Sequence, residues 1–160
     1  MPAVSIARPA CLAAIVWIGA VPFAAVGEIA GSGNVVYTLT PLSSDALPGG
    51  SLINQAILKG IVLADDPNHP LHLTAQDCSG GSIADDQGKM MEGAGSCTMV
   101  DRDGDVWWLW YHNRGDDRQW GAIAGTGKYD GVTGSGVTAE LAATADGRLA
   151  ISWQGTLTLK

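Results

Sequence analysis

Three observations predict an all-β fold for residues 28–160, an antiparallel barrel or sandwich of about eight strands. Apolar and polar residues alternate with period two in several runs, turn signals separate those runs, and no amphipathic helical pattern follows the N-terminal segment.

That N-terminal segment stands apart. Arg8 is the only charge before Glu28, and Ala10 to Val26 is apolar throughout except for Pro22. A positive start, an apolar run and the small-residue end Ala24-Ala25-Val26-Gly27 describe a secretory signal peptide, residues 1–27, cleaved before Glu28. Cleavage after Ala24 or Ala25 is the near alternative. An uncleaved anchor fits less well, because the run is shorter than the roughly 20 residues a spanning helix needs. The remainder, residues 28–160, is one domain, secreted or periplasmic, with no membrane contact once the leader is gone.

The first strand is expected at 34–40, where Val35 to Thr40 is rich in β-formers. Ser43 to Gly50 reads as a loop. Leu52 to Ala64 is long enough for a helix, but Ile53, Ile57, Ile61 and Val62 favour a strand at 53–64 and Gly60 weakens the helical reading. Alternation in Leu71-His72-Leu73-Thr74-Ala75 places a third strand at 70–76. Strands at 91–100 and 105–112 flank the acidic turn Asp101-Arg102-Asp103-Gly104-Asp105. A sixth strand covers 118–125. In the seventh (135–144) Val137, Ala139 and Leu141 alternate with Thr138, Glu140 and Ala142, which marks the apolar set as the buried face. The eighth (148–159) alternates Leu149, Ile151, Trp153, Leu157 and Leu159 with polar residues, and Asp146-Gly147 before it is a favoured type I′ hairpin dipeptide.

Composition narrows the function. The formal charge is −7, and removal of Arg8 makes it one unit more negative. With no basic cluster to reverse it, such a surface repels phosphate backbones, so nucleic acid is excluded as a partner. Cys78 and Cys97 form an even pair in a chain bound for an oxidising compartment, which predicts a structural disulfide. Closing a loop of that length stabilises by about 3 kcal/mol in the chain-entropy account.

The motifs that suggest chemistry fail on spacing. Gly125-Thr-Gly-Lys-Tyr has neither the four-residue gap nor the Ser or Thr of a phosphate loop, and Gly125, Gly127 and Gly131 miss the dinucleotide fingerprint by one residue. Counting an EF-hand from Asp101 puts Val106 where glycine belongs and His112 where the bidentate Glu belongs, so the segment reads as a hairpin turn. Asp65, Asp66, His69 and His72 gather metal-type side chains without a recognised spacing, and His72 falls on the polar side of its run. No G-x-S-x-G elbow is present. No cofactor and no metal are expected.

Aromatic residues remain. Trp108 and Trp110 share one face of their strand, while Trp107, Leu109 and Tyr111 share the other. One face is core; the opposite one is exposed or covers a subunit contact. Trp120 and Trp153 join the interior set. Packing alone explains these residues, and a cavity lined by indoles is the sharper reading, with Trp108, Trp110, Trp120 and Trp153 as ligand-binding candidates.

The segment Gly125-Thr-Gly-Lys-Tyr-Asp-Gly-Val-Thr-Gly-Ser-Gly136, with the hairpin ending Ser152-Trp-Gln-Gly-Thr-Leu157, resembles the Gly-Thr-Gly-Lys-aromatic signature of allene-oxide-cyclase-like and dirigent-like barrels. Secreted bacterial proteins of undefined function share this type of C-terminal half. The resemblance covers Gly95 to Lys160. It implies an eight-stranded antiparallel barrel, often trimeric, with an apolar cavity. Plant members cyclise an epoxide or steer phenoxy-radical coupling, and none of their active-site residues is carried over to a position here. Three readings follow: a non-catalytic barrel for a small apolar or aromatic ligand; an isomerase or cyclase that confines its substrate, with His112, Tyr111 or Glu92 supplying an ionisable group; and a structural homo-oligomer.

Overall fold

The computed structural model describes residues 27–160. The leader assigned to residues 1–27 lies outside them except for Gly27, which opens the first strand. Eight strands follow: β1 (Gly27–Ala46), β2 (Leu52–Ala64), β3 (Ala75–Ala84), β4 (Met90–Val100), β5 (Val106–Arg114), β6 (Asp117–Gly125), β7 (Thr133–Ala143) and β8 (Arg148–Leu159), with a 3-10 turn at Gly127–Tyr129. Each strand pairs with its sequence neighbours, and β8 returns antiparallel to β1 to close the barrel. Among the described residues every strand has a neighbour on both sides, although β6 and β7 pair only at Gln119–Gly121 and Ser135–Val137.

The two ends differ. At one end the connections are tight hairpins: 46–52, 84–90, 114–117 and 143–148. At the other, the segments 65–74 and 126–132 are longer and fold inward. Leu71, Thr74, Tyr129 and Val132 from those segments are all buried, Tyr129 completely. Tyr129 packs against Trp107, ring centres 6.0 Å apart, and Trp107 lies 6.3 Å from Trp120. This end is a floor; the hairpin end is the mouth.

Aromatic rings inside the barrel lie where neighbouring strands carry glycine. A Cβ on Gly155 would sit 2.5 Å from Trp120 Cζ2, and one on Gly136 would sit 2.6 Å from Trp120 Nε1. Tyr37 covers Gly60, and Tyr111 covers Gly80 and Gly95, in the same manner. Large rings therefore fill the barrel because their neighbours have no side chain. Only part of the 125–136 segment turns the chain, chiefly Gly127 (φ 55°) and Gly131 (φ 69°), a backbone region that L side chains avoid.

Several expectations are corrected. The third strand is not 70–76. Residues 65–74 form turns, with Leu73 at φ 62°, and the strand starts at Ala75. Ser79-Gly-Gly-Ser82 has little strand propensity of its own, but it is paired on both sides by β2 and β4. The first strand extends through Ser43 to Ala46, where a register shift after Pro41 keeps it paired with β2. The hairpin at Asp146-Gly147 is not type I′, which needs positive φ at both central residues. Only Gly147 has one, and Thr144 N–H bonds Arg148 O across a three-residue loop. On β7 the apolar set faces outward, Val137 43% and Leu141 58% exposed. Gly136, with no side chain to clash with Trp120, takes the inward phase, and Thr138 and Glu140 follow it.

Candidate functional site: the barrel chamber

A chamber of about 710 Å³ runs from the mouth down to Leu71, Met99 and Trp107 at the floor. Its walls are mainly the inward aliphatic residues Leu39, Ala56, Leu58, Leu109, Leu149 and Ile151. Trp107, Trp120 and Trp153 line its lower part. The volume lies within the range of small-molecule sites.

Polar groups stand at two heights. Lower down are Tyr37, Tyr111 and Gln76. Burial raises the Tyr37 phenol pKa well above its ordinary value of 10.0, with nearby Tyr111 adding to the rise and a hydrogen bond with the Gln76 side chain opposing it. Burial raises that of Tyr111 also. Both phenols therefore remain neutral, able to donate or accept a hydrogen bond, at any ordinary pH. Gln76 also donates from Nε2 to Cys97 Sγ at 3.4 Å.

At the mouth stands the second group. Asn113 on β5 and Arg118 on β6 are direct partners, as are Tyr111 and Trp120 one inward step below them. That step is two residues, about 6.8 Å along the strand. Arg118 donates from Nη1 and Nη2 to the same oxygen of Glu140, 3.3 Å each. Its side chain is 19% exposed and that of Glu140 43%. The second carboxylate oxygen of Glu140 is left for another donor.

Of the four expected ligand-contacting tryptophans, Trp120 and Trp153 line the chamber and Trp108 and Trp110 do not. The latter are 36% and 40% exposed on the outer wall, where Trp110 lies over Gly121. Period two makes either face of β5 inward; Trp107, 1% exposed opposite Met99, belongs to the inward one. Among the ionisable candidates, Tyr111 faces the chamber. His112 and Glu92 pair with each other at 3.1 Å on the exposed outer wall. Cys78 and Cys97 form the expected disulfide, between directly opposed positions of β3 and β4.

Below the chamber, His69 is buried against Trp153, ring centres 5.6 Å apart. Its Nδ1 accepts the Leu71 N–H at 3.2 Å, and desolvation lowers its pKa against the opposing pull of Asp66. His72 does not join it; its Nδ1 contacts Ala64 O at 3.1 Å. Farther round the floor, Lys128 Nζ bridges Asp101 at 2.6 Å and Asp103 at 2.7 Å. Tyr129 donates to Pro70 O at 3.3 Å, which ties the two inward loops together.

Fold and chamber together define the class: a closed eight-stranded antiparallel barrel around a chamber of small-molecule size. The chain has the dirigent barrel fold. It is similar to the pterocarpan synthase dirigent protein GePTS1, with 13% identity and a TM-score of 0.55 over 84% of this chain and 92% of that one. A second pterocarpan synthase dirigent protein, PsPTS1, matches with 14% identity and a TM-score of 0.53, over 83% and 94% of the two chains. No protein-family model and no curated protein matches the chain. At such identity the likeness concerns the fold alone.

Proposed function

We propose that this is an exported barrel protein that binds a small apolar or aromatic ligand in its chamber without transforming it. The observation that carries the reading is a chamber of about 710 Å³ with mainly aliphatic walls. Burying a ligand of that size against aliphatic walls supplies the affinity, and the two polar heights orient it. Trp120 and Trp153 contact the ligand and report its arrival. Export is supported by the Cys78–Cys97 disulfide, which suits an oxidising compartment. Titration with a neutral aromatic probe, N-phenyl-1-naphthylamine, tests the reading. Saturable quenching of tryptophan emission with one site per chain is the expected result; linear, unsaturable quenching rejects it.

A second reading is an isomerase or cyclase acting by confinement. It is favoured by Arg118 and Glu140, an ion pair at the rim of the chamber, and by the inward Tyr111. Under that reading Glu140→Gln abolishes turnover while probe affinity stays within about twofold; equal loss of both favours simple binding. Homo-oligomerisation, as a trimer, is supported by the apolar outer wall, where Val36 and Ile61 face one another 49% and 43% exposed. Sedimentation equilibrium tests it, and a monomer at every concentration rejects it.

A further inference from the structure

The disulfide faces the chamber, not the solvent. Cys78 and Cys97 are 4% and 2% exposed, and both line the chamber wall. The sheet backbone separates them from the outside. Beneath them Met99 and Trp107 are buried, and the floor is closed by Tyr129 and Leu71. The remaining approach is through the mouth. On that side the next inward positions are Gly80 and Gly95, and Tyr111 lies over both: a Cβ on Gly95 would meet its hydroxyl at 2.5 Å.

We propose that Cys78–Cys97 is a thiol–disulfide exchange site for small thiols, entered through the mouth and gated by the Tyr111 ring. The thiolate of a small thiol attacks Cys78 Sγ, the S–S bond breaks, and Cys97 leaves as a thiolate and takes up a proton. The Gln76 Nε2–H directed at Cys97 Sγ favours that sulfur as the leaving group, because a hydrogen bond stabilises its charged form. A second small thiolate attacks the outer sulfur of the mixed disulfide. Two small thiols are oxidised to one small disulfide, their two protons go to the cysteines, and Cys78 and Cys97 end as thiols inside the chamber. A protein reductant cannot follow, since its reactive cysteine cannot pass the mouth. Reduction also changes the chamber: one disulfide becomes two separate S–H groups near Gln76.

The test compares 2-mercaptoethanol with reduced thioredoxin at equal thiol concentration, on the folded, oxidised protein. New thiols are counted by alkylation and mass spectrometry. The small thiol is expected to act at a rate linear in its concentration, with thioredoxin at least about 50-fold slower. Tyr111→Ala raises the small-thiol rate about tenfold, and Tyr111→Phe, which keeps the ring but removes the hydroxyl over Gly80 and Gly95, raises it by less than roughly threefold. Equal rates for both reductants that stop rising with thiol concentration mean reduction through global unfolding and overturn the proposal. So does a Tyr111→Ala protein with native near-ultraviolet dichroism and an unchanged rate. Should that variant fail to fold, the size selectivity of the wild type decides alone.

Discussion

Replacing Lys128 with alanine isolates the energetics of the floor. The Asp101 side chain is 2% exposed: one oxygen accepts the N–H groups of Asp103 and Asp105 at 2.8 and 3.0 Å, and the other has the Lys128 Nζ charge 2.6 Å away. Removing one partner of a buried pair costs about 3–5 kcal/mol, because the other charge stays buried. Two facts reduce that here: the Lys128 side chain is 36% exposed, and Asp101 keeps both backbone donors. The expected loss is about 2–3 kcal/mol, or roughly 10 °C in Tm for a domain of this size. The pH dependence follows from the two shifts. Desolvation alone would raise the Asp101 pKa, but the bonds from Lys128 and from two backbone N–H groups outweigh it and hold it below the ordinary 3.8. Its contribution is present above that value and disappears as pH falls through the depressed folded one. Hydrogen bonds to Asp101 and Asp103 raise the Lys128 pKa above 10.5, so its share is complete below 10.5 and lost at higher pH. Urea unfolding of wild type and Lys128→Ala is therefore expected to differ by a constant amount from about pH 4 to pH 10 and to converge in strong acid. A difference under about 0.5 kcal/mol at pH 7, or one that persists undiminished below pH 2.5, refutes the reasoning.

Further outcomes concern the chamber. Gly155→Ala drives a methyl into the Trp120 ring and is expected to cost about 2–3 kcal/mol in urea unfolding; an unchanged midpoint removes the account of why glycine occupies that position. Ala56→Trp on the chamber wall fills the space with little loss of stability and lowers N-phenyl-1-naphthylamine affinity about tenfold or more, a result read by fluorescence titration. Saturating the chamber with the same probe slows 2-mercaptoethanol reduction of Cys78–Cys97, since the probe lies between the mouth and the sulfurs. An unaltered reduction rate at proven saturation shows that the two do not share a path.

How much of this was legible depends on which face each strand buries. β8 is read correctly because its inward residues are almost all large and apolar. β7 is read with its faces exchanged for the opposite reason: its inward positions hold a glycine that makes room for Trp120 and a carboxylate that meets Arg118. Alternation gives the period of a strand, but its phase is assigned by assuming the more apolar face is inside. That assumption fails where a wall lines a chamber. Trp108 and Trp110 fell on the wrong side of the same ambiguity, since both faces of β5 are aromatic. β3 was missed for want of β-branched or aromatic residues between Asp77 and Ser82, its stability coming from partners rather than propensity. The mouth pair has a signal in the sequence: Arg118 lies two residues from Trp120, so a strand that turns Trp120 inward turns Arg118 inward as well.

Closure of the ring by β1 and β8 bears on when this protein can fold. Gly27 is aligned with Leu159, and the ladder runs on to Thr38 and Arg148, so the first strand waits for the last. During synthesis every hairpin from β2 to β7 can form from local sequence, but the seam cannot until the final residues are available. Contacts of such long sequence separation are the slow step of a folding reaction, because loop entropy is lost before any contact compensates it. A chain of this topology stays open along one seam until β8 is free to pair with β1. The Cys78–Cys97 crosslink joins adjacent strands far from the seam, so it can form early without hastening the final step.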